Sequence, residues 1–468
     1  MTNLKEEPIG GCWRPFLAIS CSIPVQFIMG TMVGQSAGML PQLLAPESYI
    51  HIDREQATWI ASIPVIGTLL TSCICGRLAD LFGRIRMLQI FYFFFATGHG
   101  VMIASTSFNM LLIGRFLIGL GGGFSFPSLV YLGETSPPAW RSFFLSTCPL
   151  SASLGLVFMY TVGGYLPWIV ASQSICIASI LGFISLFFWY DSPQWLVSKN
   201  KTEDALRSLK RIEYTADVTA KLKELQDIAA AQALNNPSIS LKTFGDPTVW
   251  KPFFLILLIS IIQNSCGFYI VVYYTVNFMD EFHTDFDSLQ VTCALGTTRF
   301  FATILATYLL RRIGRKTIGA ISGFSSAALL FIIFGYLTWE TGNPELAAKL
   351  SWIPVSAFVL FMITSGIGIY ILPWVMPYEV FPIRVRGMMC GAAFATMYLF
   401  MFTFVKSYNI LVDNLGIQGM VLMFAISALI FGICSMTILV ETHNRSLDEI
   451  EQEFSGKKRI ETKTSNEV

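Results

Sequence analysis

The chain of 468 residues is 54% AVILMFWYC, 14% aromatic and only 13% charged, with a formal net charge of +1 and a mean hydropathy of +0.60. This balance excludes a soluble multidomain protein and points to a polytopic membrane protein. Closed β-barrels are excluded as well, because the apolar runs last about 20 residues instead of alternating over about ten.

The first fifteen residues are polar and carry Glu6 and Glu7 ahead of an apolar run too long for a signal-peptide core, so no cleavable leader is expected. Apolar spans are then predicted near residues 16–38, 57–76, 87–105, 109–131, 143–163 and 169–190, and again near 252–278, 289–310, 318–338, 352–376, 388–411 and 418–440. The fold class is therefore all-α and integral to the membrane, with twelve transmembrane helices in two groups of six. The expected divisions are an N-terminal segment at 1–15, a six-helix bundle at 16–190, linker helices at 191–251, a second six-helix bundle at 252–440 and a tail at 441–468. Within the linker, KTEDALRSLKRI (Lys201 to Ile212) and DVTAKLKELQDIAAAQAL (Asp217 to Leu234) have the apolar spacing of amphipathic helices.

With both termini inside, the inner segments hold 26 of the 31 Lys and Arg residues, and the outer loops hold only Arg54 and Lys349. Both termini and the linker are thus expected to be cytoplasmic, the protein multi-pass in a plasma membrane, and the triplets at Asn200 and Asn444 free of N-glycan. Most of the ten cysteines lie inside apolar runs and the four histidines are scattered, so neither a disulfide framework nor a metal site is expected. No nucleophile, base and orienter fall at plausible spacing and no nucleotide loop occurs, so an enzyme with catalytic residues or a cofactor is not expected. Membrane lipid and a small solute are the expected partners, without nucleic acid, and the chain is expected to work as a monomer.

The two halves echo each other on the inner side. GRLADLFGRIRM (Gly76 to Met87) follows the second span and LRRIGRKTI (Leu310 to Ile318) follows the eighth; Glu134 precedes Arg141 by seven residues, as Glu379 precedes Arg386. Arg84 is expected to approach Glu134 and Arg315 to approach Glu379, forming with Arg141 and Arg386 an inner latch strong enough to favour one state yet exchangeable for water; plain topogenic charge is the alternative. Parallel six-helix repeats suit a transporter that rocks around a central site.

The stretch QNSCGFYIVVYY (Gln263 to Tyr274) sets amides, a glycine and tyrosines inside a strongly apolar span. Polar side chains at bilayer depth are costly and mark a solute route, or else act as glue between helices.

GRLADLFGR, GRFLIGLGGGFSFPSLVYLGETSPPAWRS (Gly114 to Ser142), DSPQWL (Asp191 to Leu196), PYEVFPIRVRG (Pro377 to Gly387) and ETHNRSLDEIE (Glu441 to Glu451) together resemble the signatures of the sugar porter family of the major facilitator superfamily. TFVKSYNILVD (Thr403 to Asp413) is most similar to the insect trehalose and hexose transporters of that family. The resemblance implies a major facilitator fold, a cavity lined by spans one, four, five, seven, eight, ten and eleven, and facilitative passage of a sugar by rocker-switch alternating access. It implies substrate contacts at Gln263, Asn264, Tyr269, Tyr273 and Trp374, and an outer gate at Tyr274. The family's seventh span reads QQxSGIN before its aromatic pair; Asn264 shortens the second Gln and Tyr269 replaces the Asn. Pro149, Arg299 and Met397 stand where the family often places an amide.

Arg299 remains charged at neutral pH, so it either pairs with a polar group of the span or meets a carboxylate or phosphate on the substrate. The first span carries no Asp or Glu between Phe16 and Leu40, where the proton-coupled branch of the family has an acid, so facilitated diffusion is expected. Two alternatives stay open: an organic-anion or sugar-acid carrier using Arg299, and a non-transporting sugar sensor.

Overall fold

The computed structural model describes residues 14–136, 140–212, 218–234, 245–280, 286–342, 350–382, 385–443, 445 and 447–455. The N-terminal segment before residue 14, Lys349, the triplet residue Asn444 and the tail beyond residue 455 lie outside them. The chain separates into two compact units, Met1–Gln56 with Ile66–Asn236 and Ala57–Val65 with Pro237–Val468.

The first unit contains α1 (Arg14–Leu44), most of α2 (Arg54–Phe82), α3 (Arg84–Ile103), α4 (Phe108–Gly123), α5 (Phe126–Thr135), α6 (Arg141–Tyr165) and α7 (Trp168–Ser185). Three short helices follow, α8 (Pro193–Ser198), α9 (Thr202–Ile212) and α10 (Val218–Leu234). They bury Trp195, Leu196 and Val197 against Ala205, Leu209 and Leu225, which explains the amphipathic spacing of the linker. The second unit contains α11 (Pro247–Ser265), α12 (Phe268–Tyr273), α13 (Thr275–Asp280), α14 (Ser288–Leu309), α15 (Arg315–Glu340), α16 (Trp352–Ile367), α17 (Leu372–Val380), α18 (Arg386–Lys406), α19 (Tyr408–Thr437) and α20 (Leu447–Ser455). No strand occurs among the described residues.

Among the described residues, ten helical stretches are long and apolar enough to cross a membrane. The 31-residue α1 and 20-residue α3 complete twelve segments, α3 being diluted by Arg84, Arg86, Gln89 and His99. Several of these helices start on an aspartate. Asp53 accepts from the Gln56 amide at 2.6 Å while Gln56 returns a bond to the Asp53 amide at 3.2 Å, and Asp246 and Asp287 cap α11 and α14. Small residues let backbones touch: a Cβ at Gly30 would strike the Ala152 carbonyl, one at Gly155 the Phe27 carbonyl, and one at Gly323 the backbone of Gly432. Such contacts replace the hydrophobic drive that lipid removes.

Three of the predicted spans are broken in the structure. The fourth divides between α4 and α5, the seventh into α11, α12 and α13, and the tenth between α16 and α17. The tenth-span break falls at residues 368–371, upstream of Pro373 and Pro377. Pro373 sits in the first turn of α17, where its missing N–H costs nothing, and Pro377 lies within that helix.

Candidate functional site

The seventh-span break turns on Gly267, whose φ of 78° is left-handed. A side chain there would be strained, and its Cβ would run into the ring of Phe424. Gln263 and Asn264 therefore close α11, while Phe268 and Tyr269 open α12.

Each amide is half used. Gln263 Nε2 donates to the Tyr370 carbonyl at 2.9 Å, a carbonyl exposed by the tenth-span break, and Asn264 Nδ2 donates back to the Ser260 carbonyl at 2.8 Å. Gln263 Oε1 and Asn264 Oδ1 are buried and accept no hydrogen bond among the described residues. Trp374 Nε1 donates to the Tyr269 hydroxyl at 3.0 Å, and its indole stacks on Phe394 at 5.5 Å and meets Tyr398 edge-on at 5.6 Å. Tyr273 is fully buried. Tyr274 donates to the Val405 carbonyl at 3.1 Å and stacks on Tyr408 at 4.1 Å, which holds the end of the seventh span against α18 and α19.

Three cations lie within predicted spans, and two find acceptors. Arg115, fully buried, donates from Nη1 to Gln35 Oε1 at 2.9 Å and from Nη2 to Ser36 Oγ at 2.6 Å. Lys406 donates to Thr58 Oγ1 at 2.8 Å and lies 4.4 Å from the Trp59 ring, within the second unit. Arg299 differs. It is 7% exposed, and its Nε and Nη1 make no hydrogen bond among the described residues. Its guanidinium carbon lies 5.2 Å from the Phe268 ring centre and 4.7 Å from that of Tyr370. The structure thus gathers Gln263, Asn264, Tyr269, Trp374 and Arg299 around two helix breaks of one unit, joined by Phe268 and Tyr370. Sequence reasoning missed those two rings, because aromatic residues in an apolar span carry no signal of their own.

At the helix ends expected to face inward both expected pairs form, each inside its own unit. Arg84 Nη2 reaches Glu134 at 2.9 Å and Nη1 reaches Asp80 at 3.1 Å; Arg315 grips Glu379 with Nη2 at 2.7 Å and Nε at 3.2 Å. Arg141 is exposed at the start of α6, and Arg386 donates to the Phe381 carbonyl at 3.2 Å, so neither joins these pairs. Four residues complete the clusters without having been singled out. Ser192 donates to Glu134 and Thr442 to Glu379, while Asp191 accepts from the amides of Arg84 (2.8 Å) and Ile85 (3.3 Å) and Glu441 from those of Arg315 (2.8 Å) and Lys316 (3.2 Å). The acid-hydroxyl dipeptides DS and ET recur in the two halves, an echo that sequence reasoning did not use. Glycine precedes both arginines because a Cβ at Gly83 or Gly314 would collide with the capping carboxylate.

The two caps differ electrostatically. Burial pushes the Asp191 carboxyl above its usual range, and the amides of Arg84, Ser192 and Ile85 with the Arg84 charge offset this only in part. Burial also pushes Glu441 upward, but the amides of His443, Arg315 and Lys316 with the Arg315 charge outweigh it, and this carboxyl lies below its usual range.

The sequence profile described as Sugar (and other) transporter matches residues 18–454. A facilitated trehalose transporter of Apis mellifera ligustica is 28% identical, across 99% of this chain and 92% of its own. Mouse solute carrier family 2, facilitated glucose transporter member 6, is 26% identical across 94% of this chain and 91% of its own. Among solved structures, the inward-open xylose transporter XylE of E. coli superposes with a TM-score of 0.76 over 94% of this chain and 99% of that one; at 18% identity this likeness speaks for the major facilitator fold alone.

Proposed function

Because the chain belongs to the sugar (and other) transporter family, we propose that it is a facilitative carrier that moves a sugar, trehalose or a hexose, across a membrane by alternating access. The observation that carries this reading is the pair of half-used amides at the α11–α12 break. Gln263 Oε1 and Asn264 Oδ1 offer acceptors to hydroxyl donors beside the Tyr269–Trp374 pair, and sugar recognition combines amide oxygens with an aromatic face. Tyr273 adds buried aromatic surface, and Tyr274, tethered to Val405 and Tyr408, serves as the outer gate. The Arg84–Glu134 and Arg315–Glu379 clusters keep the inner helix ends of each half rigid as the carrier changes state, with Arg141 and Arg386 at the adjoining helix starts. The protein acts as a monomer in the plasma membrane, and both its termini are cytoplasmic, the orientation that the placement of 26 of its 31 basic residues favours.

Cells expressing the protein are expected to take up trehalose or glucose saturably, with influx and efflux reaching the same concentration ratio. Binding of a sugar without uptake would instead support the sensor reading, and uptake of none of trehalose, glucose, fructose, polyols or sugar acids would sink the carrier.

A further inference from the structure

Arg299 poses a charge problem that the neutral-sugar reading leaves unsolved. A guanidinium keeps its charge at any physiological pH. Facing two aromatic rings supplies about 0.5–2 kcal/mol, whereas an effective desolvation cost of several kcal/mol attends a buried ion. Among the described residues no carboxylate pairs with it: α11, α12, α14 and α16 are without a single Asp or Glu, Asp280 stands at the end of α13, and Glu379 of α17 is held by Arg315. Arg115 and Lys406 show that this fold supplies hydroxyl and amide acceptors to cations elsewhere. At Arg299 the described residues supply π faces alone, and Nε and Nη1 keep unused donors.

The surroundings are rigid. Phe268 is fixed by the turn at Gly267, Tyr370 is held through its carbonyl by Gln263, and the two rings stack at 4.8 Å with 28° between their planes. One turn before Phe268, Gln263 and Asn264 present amide oxygens that accept nothing among the described residues. The same break thus combines a cation with open donors and two open acceptors. A polyol that also bears an anionic group matches this set, its hydroxyls donating to the amides and its carboxylate pairing with the guanidinium.

We propose that Arg299 makes this site selective for a sugar acid, a sugar bearing a carboxylate, over the corresponding neutral sugar. The proposal rests on the sugar-carrier reading and narrows its substrate class.

The purified full-length protein in liposomes tests it with radiolabelled D-glucuronate, D-glucose and trehalose. The wild type takes up D-glucuronate saturably, and an inside-negative potential set by valinomycin lowers the D-glucuronate plateau while leaving that of D-glucose in place. Loss of an ionic hydrogen bond lowers the glucuronate-to-glucose uptake ratio about tenfold or more in Arg299→Gln, with a smaller drop in Arg299→Lys. Glucose or trehalose entry with no D-glucuronate entry above protein-free liposomes overturns the proposal and leaves the carrier reading standing, as does an Arg299→Gln variant that slows acid and neutral sugars by the same factor. If neither class enters, the carrier reading itself falls and the proposal with it. Should Arg299→Gln fail to fold, the wild-type comparison under the imposed potential decides alone.

Discussion

Trp374 and Tyr269 share one neutral hydrogen bond, and each keeps its aromatic packing if that bond is removed. Trp374→Phe keeps a ring against Phe394 and loses the donor, while Tyr269→Phe keeps the ring and loses the acceptor. Each change is expected to raise the KM for sugar uptake about fivefold, the effect of roughly 1 kcal/mol. The double variant should be little worse than either single one, because the same bond is lost once. Fully additive losses would show that the two residues act on substrate independently. Much of this cluster was legible at the level of residue type: amides and tyrosines inside an apolar run are costly enough to announce themselves, and Arg299 stood out by its charge. How Gln263 is used was not legible, because its partner is a main-chain carbonyl of Tyr370, 107 residues away, freed only by the tertiary break.

At the level of elements, hydropathy located the spans but not their interruptions. Each broken span remains apolar on both sides, and the backbone groups released are satisfied by distant side chains such as Gln263 and Ser322, whose Oγ accepts from the Ile369 amide at 2.9 Å. The helix-end clusters were half legible: arginine and glutamate by their repeat, the capping acids only once α3 and α15 were seen to begin beneath them. Their electrostatic difference makes a pH prediction. Asp191, raised above its ordinary 3.8, favours its protonated form in the folded protein, so the capping carboxylate is lost early as pH falls. Glu441, lowered from 4.5, contributes stability that is complete above that value and fades only as pH drops through its lower folded pKa. A protonated carboxyl accepts more weakly, so as pH approaches 4.5 the amides of Arg84 and Ile85 are expected to lose hydrogen-exchange protection, corrected for intrinsic rate, before those of Arg315 and Lys316. The reverse order, or simultaneous loss, would contradict the assignment.

For the whole molecule, the question is whether solute flow is tied to an ion gradient. The Arg84–Glu134 and Arg315–Glu379 clusters lie at helix ends, and α1 itself, Arg14–Leu44, contains no carboxylate. Arg115 is instead held by Gln35 and Ser36, and Gln35 donates onward to Ser172 Oγ at 3.1 Å, and these amide and hydroxyl partners do not change charge between pH 5 and 8. None of these partners, and no residue of α1, can load a proton on one side and release it on the other. In liposomes with the interior more alkaline by about two units, glucose or trehalose is expected to equilibrate without accumulating, and no proton influx should accompany it. Replacing Ser36 with Asp places a titratable acid within reach of the Arg115 fork. Uptake by Ser36→Asp should then depend on external pH, since a buried carboxylate beside a guanidinium changes the charge of the network when it takes up a proton. Accumulation by the wild type under the same gradient would show that coupling runs through a group outside α1.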